Sequence, residues 1–525
     1  MVNSNNEIKI DGSNNRVYIG AKEKFEPMID WLKKEVAIKV KSIGKRYAPN
    51  LSEYKELNQN IELSQIFSYI DDSFFLKEFN DYARGVLSEE YVINTKNDLL
   101  SFIQKIRSFL PEDIENETIK LDNWENNNPN NVLKLEENWW RQLDESAKTG
   151  YCFLQAKQQR EMISNKKSFL SFLKSPFTEF YEKNMLIITG EALIGKTHLI
   201  CDTALKRLNS NQPTVLFFGH EFSDGKSIIS NMIYRLGMLD CGEIEFLEAI
   251  NKLCIEHNTR TLIMIDAINE TENPKLWQKG IIEFCEKIKS YPNLALVLSI
   301  RDIEKNKLIT NDNEKYIEDE IVEIRHRGFE GIEMEAVQTF CSALGVEFPK
   351  VPLHTNRLFV NPGMLFLYIE IIKETTKKFD TSIINPTTIF KAYIDNLNKK
   401  FSQENGIDED DKVVEEAINL FISLGTQQDY THFYIPQKIV SKEIKLIHEK
   451  VLEFLKSEGV LNKLTVDNEV NLYFTYQKFE NFFIAEYLLS DFEKNKSIIF
   501  DLIKGYNGAI TEALFMQIPE TLDKE

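Results

Sequence analysis

A chain of 525 residues is too long for one hydrophobic core and predicts three or four domains. Its 42% hydrophobic and 28% charged residues are the balance of an ordinary globular protein, and 63 Lys+Arg against 82 Asp+Glu leave a net charge of −19, which excludes a protein whose whole surface binds nucleic acid. No apolar run reaches the roughly 18 residues of a membrane span, Met1–Glu7 is polar, and Cys152, Cys201, Cys241, Cys254, Cys285 and Cys341 show neither a C-x-x-C pair nor metal spacing, so the expectation is a soluble cytoplasmic protein with free thiols and no membrane contact.

Residues 1–20 alternate Ile8, Ile10, Val17 and Ile19 around Gly12-Ser13-Asn14-Asn15 and predict a small β-hairpin. Residues 21–180 read as a helical region, an adaptor or effector by elimination. Its first helix, Phe25 to Arg46, carries Lys33, Lys34, Lys39, Lys41 and Lys45, and further helical pieces fall at about 52–86 and 88–109. Glu125-Asn126-Asn127-Asn128-Pro129-Asn130-Asn131 predicts a loop, after which a long helical stretch runs from about Val132 to Lys167, with Trp139 and Trp140 as packing residues. This region holds no metal set, nucleophile motif or nuclease carboxylate cluster.

From 181 to 328 apolar strands near 185–189, 214–218, 261–265, 295–300 and 320–324 alternate with helices, the pattern of a parallel sheet covered on both faces. The first strand, Met185 to Thr189, runs into Gly190-Glu191-Ala192-Leu193-Ile194-Gly195-Lys196-Thr197, followed by His198 and a helix to Leu208. G-x-x-x-x-G-K-T between a strand and a helix is a phosphate loop: its amides and the helix N-terminus face phosphate oxygens, Lys196 reaches the β- and γ-phosphates, and the Thr197 hydroxyl holds Mg²⁺. The strand Thr261–Ile265 delivers Asp266 to the same sheet edge to bind Mg²⁺ through water, with Glu270 beyond it to orient or deprotonate an attacking water; an N-cap role for Asp266 and a solvated Glu270 are the alternatives. Leu294–Ser299 ends in Ile300-Arg301-Asp302, where the Arg301 guanidinium suits a γ-phosphate or a salt bridge to Asp302 or another carboxylate.

Residues 329–408 read as a helical domain interrupted by Asn361-Pro362-Gly363. Residues 409–492 read as helix, short strand (Thr431 to Ile435), helix (Ser441 to Glu458), hairpin around Val466-Asp467-Asn468-Glu469, and an apolar helix Phe479 to Leu489, a winged-helix order; 493–525 begins a further helical arm or sensor region.

The set resembles the STAND class of P-loop NTPases, NACHT- and NB-ARC-like, and is most similar to the bacterial antiviral AVAST-type ATPases. The motifs are Gly190–Leu199, Ile265–Glu270, Leu298–Asp302, Asn361–Leu365 and Phe474–Ala485. The resemblance implies an ASCE-type α/β fold binding ATP or ADP with Mg²⁺, with Pro362 packing on the adenine and Arg301 sensing the γ-phosphate. Tyr476 stands where many relatives place a histidine that touches the β-phosphate. Leu193 replaces a frequent glycine and fits if it keeps negative φ, while Asn269 replaces a frequent Asp, which implies slow hydrolysis. It further implies a switch in antiphage defence that opens on a trigger such as a phage protein, self-associates and activates an effector. Two rival readings are a DNA-binding ATPase or transcription regulator using its winged helix, and a housekeeping ATPase. Lys442, Lys445, Lys450 and Lys456 against Glu443, Glu449, Glu453 and Glu458 give the expected recognition helix little net attraction for a duplex.

Overall fold

The computed structural model describes residues 10–11, 16–17, 29–44, 47, 66–84, 86–87, 96–127, 151–222, 225–257, 259–271, 273–348, 357–374, 386–426, 433–445, 447–466, 469–505 and 508–522. They form two compact units, one of residues 65–185 with 320–322, the other of 1–64, 186–319 and 323–525. The expected helical region 21–180 is therefore divided. Trp139, Trp140, residues 128–131 and most of the hairpin 1–20 lie outside the described residues.

The larger unit begins with β1 (Ile10–Asp11) paired antiparallel to β2 (Arg16–Val17), then α1 (Ile29–Ser42). Helix α1 ends at Ser42, short of Arg46, and leaves Lys34 and Lys41 exposed. It buries Leu32, Val36 and Val40 together with Lys39, which packs towards the NTPase-like sheet described below.

The smaller unit holds α2 (Asp72–Ala83), α3 (Lys96–Asn127), α4 (Tyr151–Leu173) and α5 (Pro176–Lys183). Helix α3 does not stop near 109, nor before Glu125; it runs through Pro111. A proline inside a helix costs about 3 kcal/mol. Leu99, Ile103, Ile106, Leu110, Ile114 and Leu121 form one buried stripe against α4, and each such side chain returns about 1.5–3 kcal/mol, so packing wins. Arg107 fastens α5 to this core by pairing with Glu182 at 2.8 Å and donating to the Leu173 carbonyl.

The α/β part of the larger unit contains β3 (Met185–Thr189), α6 (Lys196–Asn209), β4 (Thr214–Phe218), α7 (Ile228–Arg235), α8 (Glu243–His257), β5 (Thr261–Asp266), α9 (Pro274–Lys289), β6 (Leu294–Ser299), α10 (Lys305–Leu308), α11 (Glu314–Glu320) and β7 (Val322–Arg325). The strands form a parallel sheet in the order β4-β5-β6-β3-β7. Every residue of β3, β4, β5 and β6 is buried, which is why these strands read as unbroken apolar runs. The order puts β6 between β3 and β5, and the register pairs Phe218 with Asp266 and Ile265 with Leu298. The C-terminal ends of β3, β5 and β6 thus share one edge.

The remainder is α12 (Glu333–Leu344), α13 (Pro362–Glu374), α14 (Pro386–Asn405), α15 (Val413–Thr426), β8 (Ile435–Pro436), α16 (Gln437–Ile444), α17 (Val451–Ser457), β9 (Leu461–Val466), β10 (Glu469–Phe474), α18 (Gln477–Ser490), α19 (Phe492–Lys504) and α20 (Gly508–Leu522). The three C-terminal pieces expected from sequence share one hydrophobic cluster running from Phe329 to Leu514. The single helix expected over Ser441–Glu458 is instead two short helices, α16 and α17, with Ile447 and His448 both bonding back to the Ile444 carbonyl between them. Both pack on α15, and breaking the chain between them lets Val440 and Ile444, then Val451, Leu452 and Leu455, reach the same core. Strands β8, β10 and β9 form a small antiparallel sheet. Among the described residues no helix is long and apolar enough to cross a membrane.

Candidate nucleotide site

Gly195, at φ 103°, caps α6 in the left-handed region, so the loop can turn sharply into the helix. Leu193 does not keep negative φ, as its sequence context required; it lies at φ 64°. That backbone costs an L-residue about 1–2 kcal/mol. The loop is held there from outside. Asn361 Nδ2 donates to the Ala192 carbonyl at 2.9 Å, and the Gly363 N–H donates to the Leu193 carbonyl at 3.0 Å. Asn361-Pro362-Gly363 is therefore the start of α13, with Asn361 Oδ1 also accepting from the Met364 N–H at 3.2 Å, and it grips the phosphate loop by its carbonyls.

Lys196 is buried and folds back on its own loop, donating from Nζ to the carbonyls of Gly190 at 2.7 Å and Glu191 at 2.8 Å. Burial, helped by the nearby Arg301 charge, pushes its ammonium down to about 7 against the pull of Asp266, Asp302 and Glu270. Incoming phosphate oxygens would replace carbonyl acceptors with anionic ones and restore the charge.

Asp266 is fully buried at the end of β5, and Ser299 of β6 pins it: the Ser299 hydroxyl donates to Asp266 Oδ1 and accepts from the Ala267 N–H at 2.8 Å. Glu270 is not a solvated surface carboxylate. Its side chain is 2% exposed, with Oε1 3.5 Å from Arg301 Nη2 and Oε2 3.9 Å from His220 Nδ1. Arg301 thus faces Glu270, whereas Asp302 pairs with Arg325 at 2.9 Å. Asn269 accepts from the Arg301 N–H at 3.3 Å and holds that turn. Tyr434, just before β8, donates from its hydroxyl to the Glu270 carbonyl at 3.5 Å.

His198 is largely buried and its ring lies 5.0 Å from that of Tyr47, with burial holding its imidazole below the usual range. Tyr476 precedes α18 and packs, half-buried, on the C-terminal core. The residues of that motif that reach the loop's surroundings are Lys478, Asn481 and Phe482, which line a cavity of about 210 Å³ with Glu191, Ala192, Asp302 and Arg325. Sequence reasoning assigned no role to Tyr47, His220, Ser299, Tyr434, Lys478 or Asn481. Ser299, Lys478 and Asn481 sat inside quoted motifs; Tyr47, His220 and Tyr434 carry no local signal because tertiary packing alone brings them here.

Thr197 and Asp266 offer hard oxygen donors, which suits Mg²⁺. Among the described residues no group of three or more His, Cys, Asp or Glu gathers as a metal site, so phosphate oxygens and water would complete such a shell. Of the described cysteines, Cys201, Cys254, Cys285 and Cys341 are buried free thiols and Cys241 is half-buried.

His326 follows β7 and is buried, donating its N–H to the Thr189 carbonyl at 2.8 Å and accepting from the Gly328 N–H at Nδ1, 3.0 Å. Burial, with Lys196 and His198 nearby, pushes its imidazole down to about 3. Unfolded, it titrates near 6.5, so the unfolded state binds a proton that the folded state refuses. Stability is thus expected to fall as pH drops from about 6.5 towards 3, by up to about 1.4 kcal/mol per unit from this group. Urea midpoints at pH 7 and pH 5 should show that slope, and His326→Gln should flatten it.

The sheet order and the loop geometry are those of a P-loop NTPase of the ASCE type. No family model and no curated protein matches the sequence. Among solved structures the chain is similar to Cdc6p from Pyrobaculum aerophilum (14% identity, 58% of this chain and 88% of that one, TM-score 0.24). It is similar also to the Aeropyrum pernix ORC2 protein in its ADP form (10% identity, 60% and 91%, TM-score 0.28) and to C. elegans PCH-2 (13%, 52% and 62%, TM-score 0.19). These are likenesses of outline, and the fold class rests on this chain's own sheet and loop.

Proposed function

We propose that the chain is an ATP-binding, slowly hydrolysing switch of the STAND type. The observation that carries this reading is the pairing of Glu270 with Arg301 beside a complete phosphate loop. A carboxylate that activates water and a guanidinium that meets the γ-phosphate satisfy each other here, so a triphosphate must separate them before hydrolysis. Lys196, the loop amides and Thr197 would hold the phosphates, Pro362 and His198 would border the nucleoside, and Mg²⁺ held by Thr197 and Asp266 would offset phosphate charge. The C-terminal region supports a switch over a motor, because Asn361, Gly363 and Tyr434 bond to the loop and to the turn carrying Glu270. A two-state element biased by the γ-phosphate is the physical content of such a switch.

The small sheet with α16 and α17 fits a winged helix acting as an intramolecular lid. Three of its lysines are matched by acids, Lys456 with Glu453 at 2.5 Å, Lys438 with Glu469 at 2.6 Å and Lys442 with Glu443 at 3.8 Å, which reduces the field for a duplex. The motif resemblance is what supports a role in antiphage defence, with a phage protein as trigger and self-association as the output. The resting state is tested by the nucleotide that survives purification. Tightly held ADP is expected in acid-quenched protein, and an empty site in protein prepared without chelators would contradict the closed-switch reading.

A further inference from the structure

The turn Gly219–Glu221, between β4 and α7, is held from three directions. On one side the Glu221 carboxylate accepts from the Phe218 N–H at 2.7 Å and pairs with Lys39 of α1. The two side chains are 14% and 10% exposed, and the Lys39 ammonium also lies 4.5 Å over the Phe217 ring. Burial works to raise the Glu221 carboxyl, but Lys39, His220 and the hydrogen bonds outweigh it and hold it below the usual range. On the second side Gly219 lies against the turn that carries Glu270: a Cβ there would lie 1.9 Å from the Ala267 carbonyl oxygen, so the two backbones are in direct contact. On the third, Tyr473 of β10 lies 6.0 Å from the His220 ring, which stacks on Phe218.

His220 is buried, and among the described residues its Nδ1 has no hydrogen-bond partner, standing 3.9 Å from Glu270 Oε2. A shift of about 1 Å in either turn would close that gap to a hydrogen bond. The position of the Gly219–Glu221 turn therefore sets how the Glu270 carboxylate is shared between His220 and Arg301. Of the three contacts that hold that position, the ion pair with Lys39 is the one made by α1.

We propose that Lys39 of α1 is a positioning residue for Glu270, acting through Glu221 and the Gly219–Glu221 turn, so that the seating of α1 on the sheet edge sets the rate of ATP hydrolysis. The inference rests on the reading of Glu270 as the group that activates water. Removing Lys39 alone strands the buried Glu221 carboxylate and forces the turn to rearrange; removing both charges keeps the core electrically balanced but leaves the turn unanchored. Either way Glu270 loses its setting while the phosphate loop is untouched.

The test is single-turnover hydrolysis of ATP with Mg²⁺ by the full chain, with ATP affinity measured alongside. Lys39→Met and the charge-balanced double variant Lys39→Met/Glu221→Gln are each made in the wild-type and in the Glu270→Gln background. In the wild-type background hydrolysis is expected to fall about tenfold or more at an ATP affinity within about twofold, because small misplacements of a reacting group cost that much. In the Glu270→Gln background neither change should slow it further. An unchanged or raised rate in the wild-type background, in whichever variant folds, overturns the inference. So does an equal fall in both backgrounds, which would mark a general structural defect. Wild-type protein that binds no ATP would instead overturn the underlying functional reading.

Discussion

Replacing Glu270 with Gln is expected to lower ATP hydrolysis by about 10²–10⁴-fold while ATP affinity changes only a few-fold. The substitution keeps size and hydrogen-bonding capacity but removes the negative charge that can draw a proton from water. It also removes the charge that holds Arg301 in the resting pairing at 3.5 Å. Arg301 is then easier to recruit to a γ-phosphate, so ATP affinity should rise slightly if it changes at all. The measurement is single-turnover hydrolysis with Mg²⁺ beside an equilibrium titration. A variant that hydrolyses at the wild-type rate would remove Glu270 from the chemistry.

Gly328→Ala is expected to destabilise the protein by about 2–5 kcal/mol, combining a left-handed backbone penalty with overpacking. Gly328 sits at φ 62°, and a Cβ there would lie 2.1 Å from the Val360 carbonyl oxygen, 2.7 Å from Ile194 Cδ1 and 3.2 Å from Pro362 Cδ. It is the point where the strand after the phosphate loop's neighbour, the loop itself and the start of α13 meet. The methyl group must push α13 away from the loop, so the grip of Asn361 on Ala192 is lost along with stability. A lower unfolding midpoint with faster loss of bound nucleotide is the expected result. Gly345→Ala is a control with comparable backbone strain, φ 72°, but no atom within 4 Å of the new methyl group. Its effect should be confined to stability.

Much of this site is written locally. Thr189 to Thr197, Asp266 and Arg301 are legible because fully buried parallel strands show as apolar runs, and each run ends at the sheet edge in one residue whose chemistry stands out. The strand ends lie within about two residues of their expected places for the same reason. What fails is whatever depends on distant packing. The helical pattern reads as ending near 109, but a buried stripe on both sides of Pro111 carries α3 through. Ser441–Glu458 had a helical rhythm that could not reveal the turn between α16 and α17, since the same apolar residues satisfy either geometry. Leu193 takes positive φ because Asn361 and Gly363, about 170 residues away, hold the Ala192 carbonyl and Leu193's own. Lys39 is one of five lysines in its stretch of sequence, and only the fold shows it against the Glu221 carboxylate. Tyr476 was singled out by motif position, yet the cavity beside Glu191 and Ala192 is lined by Lys478 and Asn481 of the following helix.

The most direct test of the central claim, that the loop Gly190–Thr197 grips a nucleoside triphosphate through Lys196, is a calorimetric titration of nucleotide-stripped protein with ATP and Mg²⁺, wild type against Lys196→Ala. Losing charge-assisted contacts to phosphate worth about 1.5–3 kcal/mol predicts an affinity lower by about 10- to 150-fold at unchanged stoichiometry. Equal affinities for the two proteins would contradict it.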